Sequence, residues 1–246
     1  MLSAKPWRRE LVVLFCAGQL ACFCFGVAIN SLMQQAGFTA FQPPAGPGAV
    51  LLGTLTFQGA TWVLIYFFLR LHHTTWRDTF GWHRVEMNRI WFPVVPVAIA
   101  FLPVACWLLQ YASIYSLTKI GWQPENETAV TVLTNAREWW LRAYLGVFTV
   151  VIAPVAEEFI FRGMLYPLFK QSGWPRLAWF GVSFLFALIH ADAAAFVALF
   201  LLALVLTWLY ERTDSLLAPV MAHAFFNAAN LILLCFFQND LNPGPS

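Results

Sequence analysis

Long apolar runs, separated by short polar breaks, dominate the chain. They lie near residues 11–29, 50–69, 90–111, 141–168, 175–190, 194–210 and 215–237. Each approaches or exceeds the roughly 18 residues that cross hydrocarbon as a helix. The pattern predicts about seven helices, the sixth of them short. Pro93, Pro96 and Pro103 should bend the third, and Pro154 the fourth. Each proline removes a backbone donor and frees a carbonyl that something else must satisfy in lipid. Residues 37–48, with Gly37, Pro43, Pro44, Gly46, Pro47 and Gly48, read as a loop. Residues 114–140 are the longest polar stretch, with room for a short surface helix. No internal repeat stands out.

Composition turns this pattern into a class. The 246 residues are 60% hydrophobic, 17% aromatic and 11% charged, with mean hydropathy +0.67. A soluble domain carries about 25% charged and about 45–50% apolar residues. The expectation is an all-α polytopic membrane protein, a bundle of about seven transmembrane helices forming one integral membrane domain. Residues 1–113 supply helices without a chemical signature, and residues 114–246 supply the core with one. Trp and Phe read first as interfacial anchors and lipid-facing filler. Cys16, Cys22, Cys24, Cys106 and Cys235 read as small buried hydrophobes, since no CxxC pair is present. Lys5, Arg8 and Arg9 before Leu11–Ile29 imitate a signal peptide. That run is long for a signal h-region and no small-residue cleavage site follows, so it reads as a retained span. The net charge of +2 carries little information, and nothing points to nucleic acid.

Basic residues set the expected orientation. With the N-terminus cytoplasmic, the inner side holds Lys5, Arg8, Arg9, Arg70, Arg77, Arg84, Arg89, Arg162, Lys170, Arg176 and Arg212, against Lys119, Arg137 and Arg142 outside. Asn126-Glu127-Thr128 is a glycosylation sequon on the outer side, relevant only in a eukaryotic host. His72, His73 and His83 fall in the basic inner loop and read as solvated or headgroup-facing.

The chemistry sits inside the spans. The fourth helix carries Glu157, Glu158 and Arg162, the fifth ends at His190, and the seventh carries His223 and Asn227. A charge at the bilayer centre costs about 2.5–3.5 kcal/mol on insertion scales, so these groups need partners, water or a task. Glu158 and Arg162 are i,i+4 with the acid first, the better order for an ion pair. Glu157, turned away by about 100°, is left without a partner on its own helix. His223 and Asn227 are also i,i+4 and share a face. At about 1.5 Å per residue, Glu157, His223 and Asn227 lie some 12–18 Å from the inner helix ends, and His190 about 22 Å. A carboxylate, two imidazoles and an amide can therefore converge. Burial raises a carboxylate's pKa and suits it to general-base work on water. An imidazole and an amide N–H suit an oxyanion. Glu/His/His ligation of a metal with an open water position fits the same residues. The structural alternatives are a buried ion pair that only locks the helix, His223 and Asn227 bonding between helices, and His190 as an interfacial cap.

Glu157-Glu158-x-x-x-Arg162, Phe186-x-x-x-His190 and His223-x-x-x-Asn227, in this order on three spans, resemble the CPBP family of intramembrane proteases. That family includes type II CAAX prenyl proteases and bacteriocin-processing or self-immunity proteins. The resemblance covers about residues 120–237. It implies a glutamate-type endopeptidase in which Glu157 activates water with His190, His223 and Asn227 form the oxyanion site, and Glu158 and Arg162 support them. A metal-free mechanism is preferred because Asn227 is a poor metal ligand. If a metal takes part, Glu157, His190 and His223 would hold it, with zinc the expected ion. The implied partners are membrane lipids and a membrane-associated or lipidated peptide, prenylated in the CAAX branch. The short chain fits the bacterial branch, with the site in the cytoplasmic half of the plasma membrane. The rival functions are a non-catalytic peptide-binding scaffold or immunity protein, and a proton-coupled transporter. The absence of repeat symmetry weighs against the transporter, and only an activity assay separates the scaffold from the enzyme.

Overall fold

The computed structural model describes residues 4–42, 46–81, 102–122 and 139–241, with side chains as far as residue 233. Among the described residues there are helices and no strands. We number them α1 (Arg9–Gln35), α2 (Pro47–Leu71), α3 (Trp76–Phe80), α4 (Leu102–Lys119), α5 (Trp139–Gln171), α6 (Leu177–Ile189), α7 (Phe196–Thr213) and α8 (Leu217–Leu241). Helices α1, α2, α5 and α7 are long and apolar enough to cross a membrane; α6 and the Leu217–Leu233 part of α8 are shorter apolar helices. The protein is an all-α bundle of membrane character.

Two boundaries differ from the sequence pattern. The third apolar run was expected to end near 111, but α4 continues to Lys119. Its late polar residues bond within the helix: Ser116 Oγ donates to the Ala112 carbonyl at 2.8 Å and Thr118 Oγ1 to the Ile114 carbonyl at 3.0 Å. The sixth helix is not short. It runs 18 residues, Phe196–Thr213, about 27 Å at 1.5 Å per residue. Asp214, left-handed at φ 51°, ends it. The first part of the third run, Pro93, Pro96, His83, Arg84, Arg89, Arg137 and the sequon lie outside the described residues. The cysteine reading also changes. Cys106 is buried, whereas Cys16 and Cys24 are exposed on α1, whose other side packs against α2.

The chain divides into two compact units. One comprises residues 6–76 and 126–145 and is built on the α1–α2 hairpin. Gly26 lets these helices approach closely, since a Cβ there would fall 2.2 Å from Thr56 Oγ1. The Gln19 side chain donates to the Phe57 carbonyl (2.9 Å) and accepts from Thr61 Oγ1 (3.0 Å).

The other unit comprises residues 1–5, 77–125 and 146–246. Helix α7 is packed by α4, α6 and α8. Its buried side chains Ala198, Leu202, Leu206 and Leu209 recur at helical spacing along that core. Ser215 Oγ donates to the Phe80 carbonyl at 2.8 Å, which ties α3 to the α7–α8 turn. Gly81 adopts φ +71° there, and a Cβ on it would lie 2.8 Å from the Asp214 carbonyl.

Candidate active site

Helix α5 is not a uniform α-helix where it carries the carboxylates. Phe148–Ile152 and Phe159–Leu165 are wound as π-helix, and each stops one residue short of a proline, Pro154 and Pro167. The bend expected at Pro154 takes this form. The Ala153 N–H reaches back to the Phe148 carbonyl, so it does not serve Thr149. In the same i+5 register Thr149 would need an N–H from residue 154, and proline has none. The Asn227 side chain fills the gap, donating through Nδ2 to the Thr149 carbonyl at 2.9 Å. The interhelical bond weighed from the sequence therefore exists, and it satisfies a carbonyl that the proline left open.

One turn further, Glu158 and Arg162 are fully buried and paired, Nη1 to Oε1 at 2.8 Å. Arg162 also donates to the Ala203 carbonyl (2.8 Å) and to Thr207 Oγ1 (3.4 Å) on α7. Its guanidinium lies 4.8 Å from the Phe186 ring centroid, a cation–π contact. The Arg162 guanidinium is thus engaged from α5, α6 and α7 at once. Glu158 Oε1 receives a second donor, His223 Nδ1, at 2.9 Å. A carboxylate oxygen only accepts, so the proton lies on Nδ1, and in the neutral ring Nε2 keeps its lone pair.

That free Nε2 faces Glu157 Oε2 at 3.8 Å. The separation is beyond a direct hydrogen bond and invites a bridging water. Glu157, which has no partner on its own helix, thus approaches an imidazole of α8, the convergence that helix depth allowed. Its side chain keeps 18% of its surface exposed, against 4% for His223 and none for Glu158. Of the two neighbouring carboxylates, one is locked and the other is accessible.

His190 follows the last turn of α6, and its Nδ1 lies 2.6 Å from the Phe186 carbonyl. A carbonyl only accepts, so Nδ1–H donates and Nε2 is left as an acceptor. The Phe186 ring lies 4.7 Å from the His190 ring and 5.7 Å from the His223 ring. It joins the two imidazoles that sequence spacing could only suggest were near. Asp192 holds the next turn, its Oδ1 accepting from the Ala194 and Ala195 N–H groups at 2.8 and 3.0 Å.

The structure thus gathers Glu158, Arg162 and His223 in direct hydrogen-bond contact, with Glu157 3.8 Å from His223. His190 joins through Phe186, and Asn227 sits one turn from His223. Sequence reasoning gave no role to Phe186, Thr207 or the Thr149 carbonyl. Phe186 stands one helical turn before His190, and that spacing was the available signal. Among the described residues no group of three or more His, Cys, Asp or Glu side chains is arranged to hold a metal ion. Both imidazoles spend Nδ1 on protein oxygens, which leaves Nε2 of each as the nitrogen that a water or an ion would meet.

Residues 138–229 match the family model described as type II CAAX prenyl endopeptidase Rce1-like. The chain is also 28% identical over 123 residues to UPF0177 protein YaiF of Lactococcus lactis subsp. lactis (strain IL1403), covering 49% of this chain and 53% of the relative. It thus spans about half the length of the curated relative it matches. No solved structure matches. The matched segment runs from the start of α5 into α8 and contains all three motifs. The matched segment is similar to a protease family model, and the long apolar helices are those of an integral membrane protein.

Proposed function

Because residues 138–229 are Rce1-like, we propose that this protein is an intramembrane endopeptidase in which Glu157 acts as general base on water. The observation that carries the reading is the His223 imidazole, with Nδ1 on Glu158 and Nε2 toward the more accessible Glu157. A water between Glu157 Oε2 and the neutral Nε2 would donate to both and turn its lone pairs outward. As its oxygen attacks the scissile carbonyl carbon, Glu157 takes the proton and the carbonyl electron pair moves to oxygen. Collapse of the tetrahedral intermediate breaks the C–N bond, and the leaving nitrogen takes the proton from Glu157. Asn227 keeps a second amide N–H for the oxyanion. His190, with an acceptor at Nε2, can help hold the water. Glu158 and Arg162 support the site by fixing His223.

The substrate class is a membrane-associated or lipidated peptide, with a prenylated CAAX-type terminus as one form. The basic bias of the inner loops supports a site in the cytoplasmic half of a bacterial plasma membrane. The reading needs no metal. Purified protein should be incubated in ¹⁸O-water, with a strong chelator present, on paired peptides that differ only in prenylation. Cleavage with one ¹⁸O in the new carboxyl end, and none in Glu157 after a single turnover, is the expected result. Activity lost to the chelator and restored by Zn²⁺, or label in Glu157, would overturn the general-base reading.

A further inference from the structure

The end of α2 carries a concavity with an arginine in its wall, remote in sequence from the three motifs. A concavity of about 500 Å³ is lined by Arg70, His73, Thr74 and Thr75. Arg70 is exposed, makes no ion pair among the described residues, and has its guanidinium 6.0 Å from the Tyr66 ring centroid. The His73 ring is exposed too and makes no hydrogen bond among the described residues. The carbonyls that end the helix are already occupied. Phe68 accepts from the His72 N–H (3.1 Å) and His72 Nδ1 (2.8 Å), Leu69 from the Thr74 N–H (3.1 Å), and Arg70 from the His73 N–H (3.1 Å). His73, left-handed at φ 51°, closes this Schellman-type end. The cavity wall therefore offers guanidinium and imidazole groups, with Thr74 Oγ1 turned to the Leu69 carbonyl, while the negative end of the helix is tied down.

The N-terminal arm adds charge at the same place. The Arg8 N–H donates to His72 Nε2 at 2.9 Å. The Trp7 ring packs on Phe68 at 5.1 Å and on His72 at 5.0 Å. Arg8 and Arg9 are thereby held beside the end of α2, both exposed. Between residues 6 and 76 Glu10 is the single carboxylate, against Arg8, Arg9 and Arg70. An arginine-rich helix end beside an interfacial tryptophan is what an anionic leaflet attracts. Arg presents a fork of donors that matches phosphate oxygens.

We propose that this concavity binds the phosphate of an anionic lipid headgroup, with Arg70 as the principal contact and His73 beside it. The site stands whether or not the Glu157 centre cleaves peptides. The test uses the full chain in detergent and native mass spectrometry, titrating phosphatidylglycerol, phosphatidylcholine of the same chain length, and inorganic phosphate. Phosphatidylglycerol should be retained and phosphatidylcholine should not. Arg70→Gln with His73→Ala should weaken retention about tenfold or more, the loss expected for hydrogen bonds to a charged group. Arg70→Lys should lose less, and Arg176→Gln, which removes the same charge elsewhere, should bind as the parent does. Equal binding of the two lipids, or an equal loss in Arg176→Gln, would overturn the site. Inorganic phosphate displacing phosphatidylglycerol at equal concentration would overturn the lipid assignment. Should the double variant fail to fold, the ranking of Arg70→Lys between parent and Arg70→Gln decides the question.

Discussion

Both units place a side-chain amide on a π-segment carbonyl, but only in α5 does the amide stand in for a missing backbone donor; the Phe57 carbonyl already accepts from the Ala60 N–H and Thr61 Oγ1. In the α1–α2 hairpin, Leu55–Gly59 is a π segment, and the Gln19 side chain on the neighbouring helix donates to its Phe57 carbonyl. In α5, Phe148–Ile152 is a π segment, and Asn227 donates to its Thr149 carbonyl. An amide reaching a π-segment carbonyl is therefore structural grammar in this molecule and does not by itself mark a site. What separates the two places is the next turn. Beyond Thr149 stand two carboxylates, a buried guanidinium and an imidazole; around Phe57 the partners are neutral. Function is read from the charged groups, and the amide bond explains only how the helix tolerates them.

The largest break of this comparison comes from Glu157→Gln, which keeps shape and removes the base. Peptide turnover should fall about 10²–10⁴-fold, the usual worth of a positioned proton-transfer group, with little change in thermal midpoint. Turnover equal to the parent would remove Glu157 from the chemistry. Next in size is the locked pair. Glu158→Ala or Arg162→Ala strands a buried charge and should cost about 3–5 kcal/mol of stability; the double variant should be milder than either single one. Chemical unfolding in mixed micelles checks this, and additive losses would argue against the pair. Asn227→Ala should lower turnover about a hundredfold through the lost oxyanion donor, beyond its effect on unfolding. Full activity in a destabilised Asn227→Ala would leave only the structural bond. The smallest effect belongs to the hairpin: Gln19→Ala should cost about 0.6 kcal/mol, the average of hydrogen bonds measured between membrane helices, and leave turnover unchanged.

Much of the fold was legible because apolar length is a strong signal, and the described helices fall on most of the expected runs. The end of α4 was not, because Ser116 and Thr118 look like loop residues until their hydroxyls are seen bonding back along the helix. The Glu158–Arg162 pair was readable from i,i+4 spacing within one helix. Helix depth allowed His223 to converge on Glu157, but not the sharing of its ring between Glu158 at Nδ1 and Glu157 at Nε2, since that depends on how α8 packs on α5. Nor did the sequence indicate that Phe186 stands between two imidazoles. Pro154 did announce an open carbonyl, but not which amide would close it.

The two π segments of α5 also act on rotational phase. Each i+5 turn takes in about one residue more than an α turn, which advances the helix face by about 100°. The faces before residue 148 and after residue 165 are therefore offset by two such advances. Rewinding 148–152 as plain α-helix with the residue count unchanged would swing Glu157 and Glu158 by about 100° relative to the preceding turns, whereas deleting one residue along with it would keep them in phase. The spacing of α5 is for this reason a joint constraint of length and winding: chimeras that keep both π segments should keep the residue count between Gly146 and Pro167, and those that wind a segment as plain α should carry one residue fewer for it.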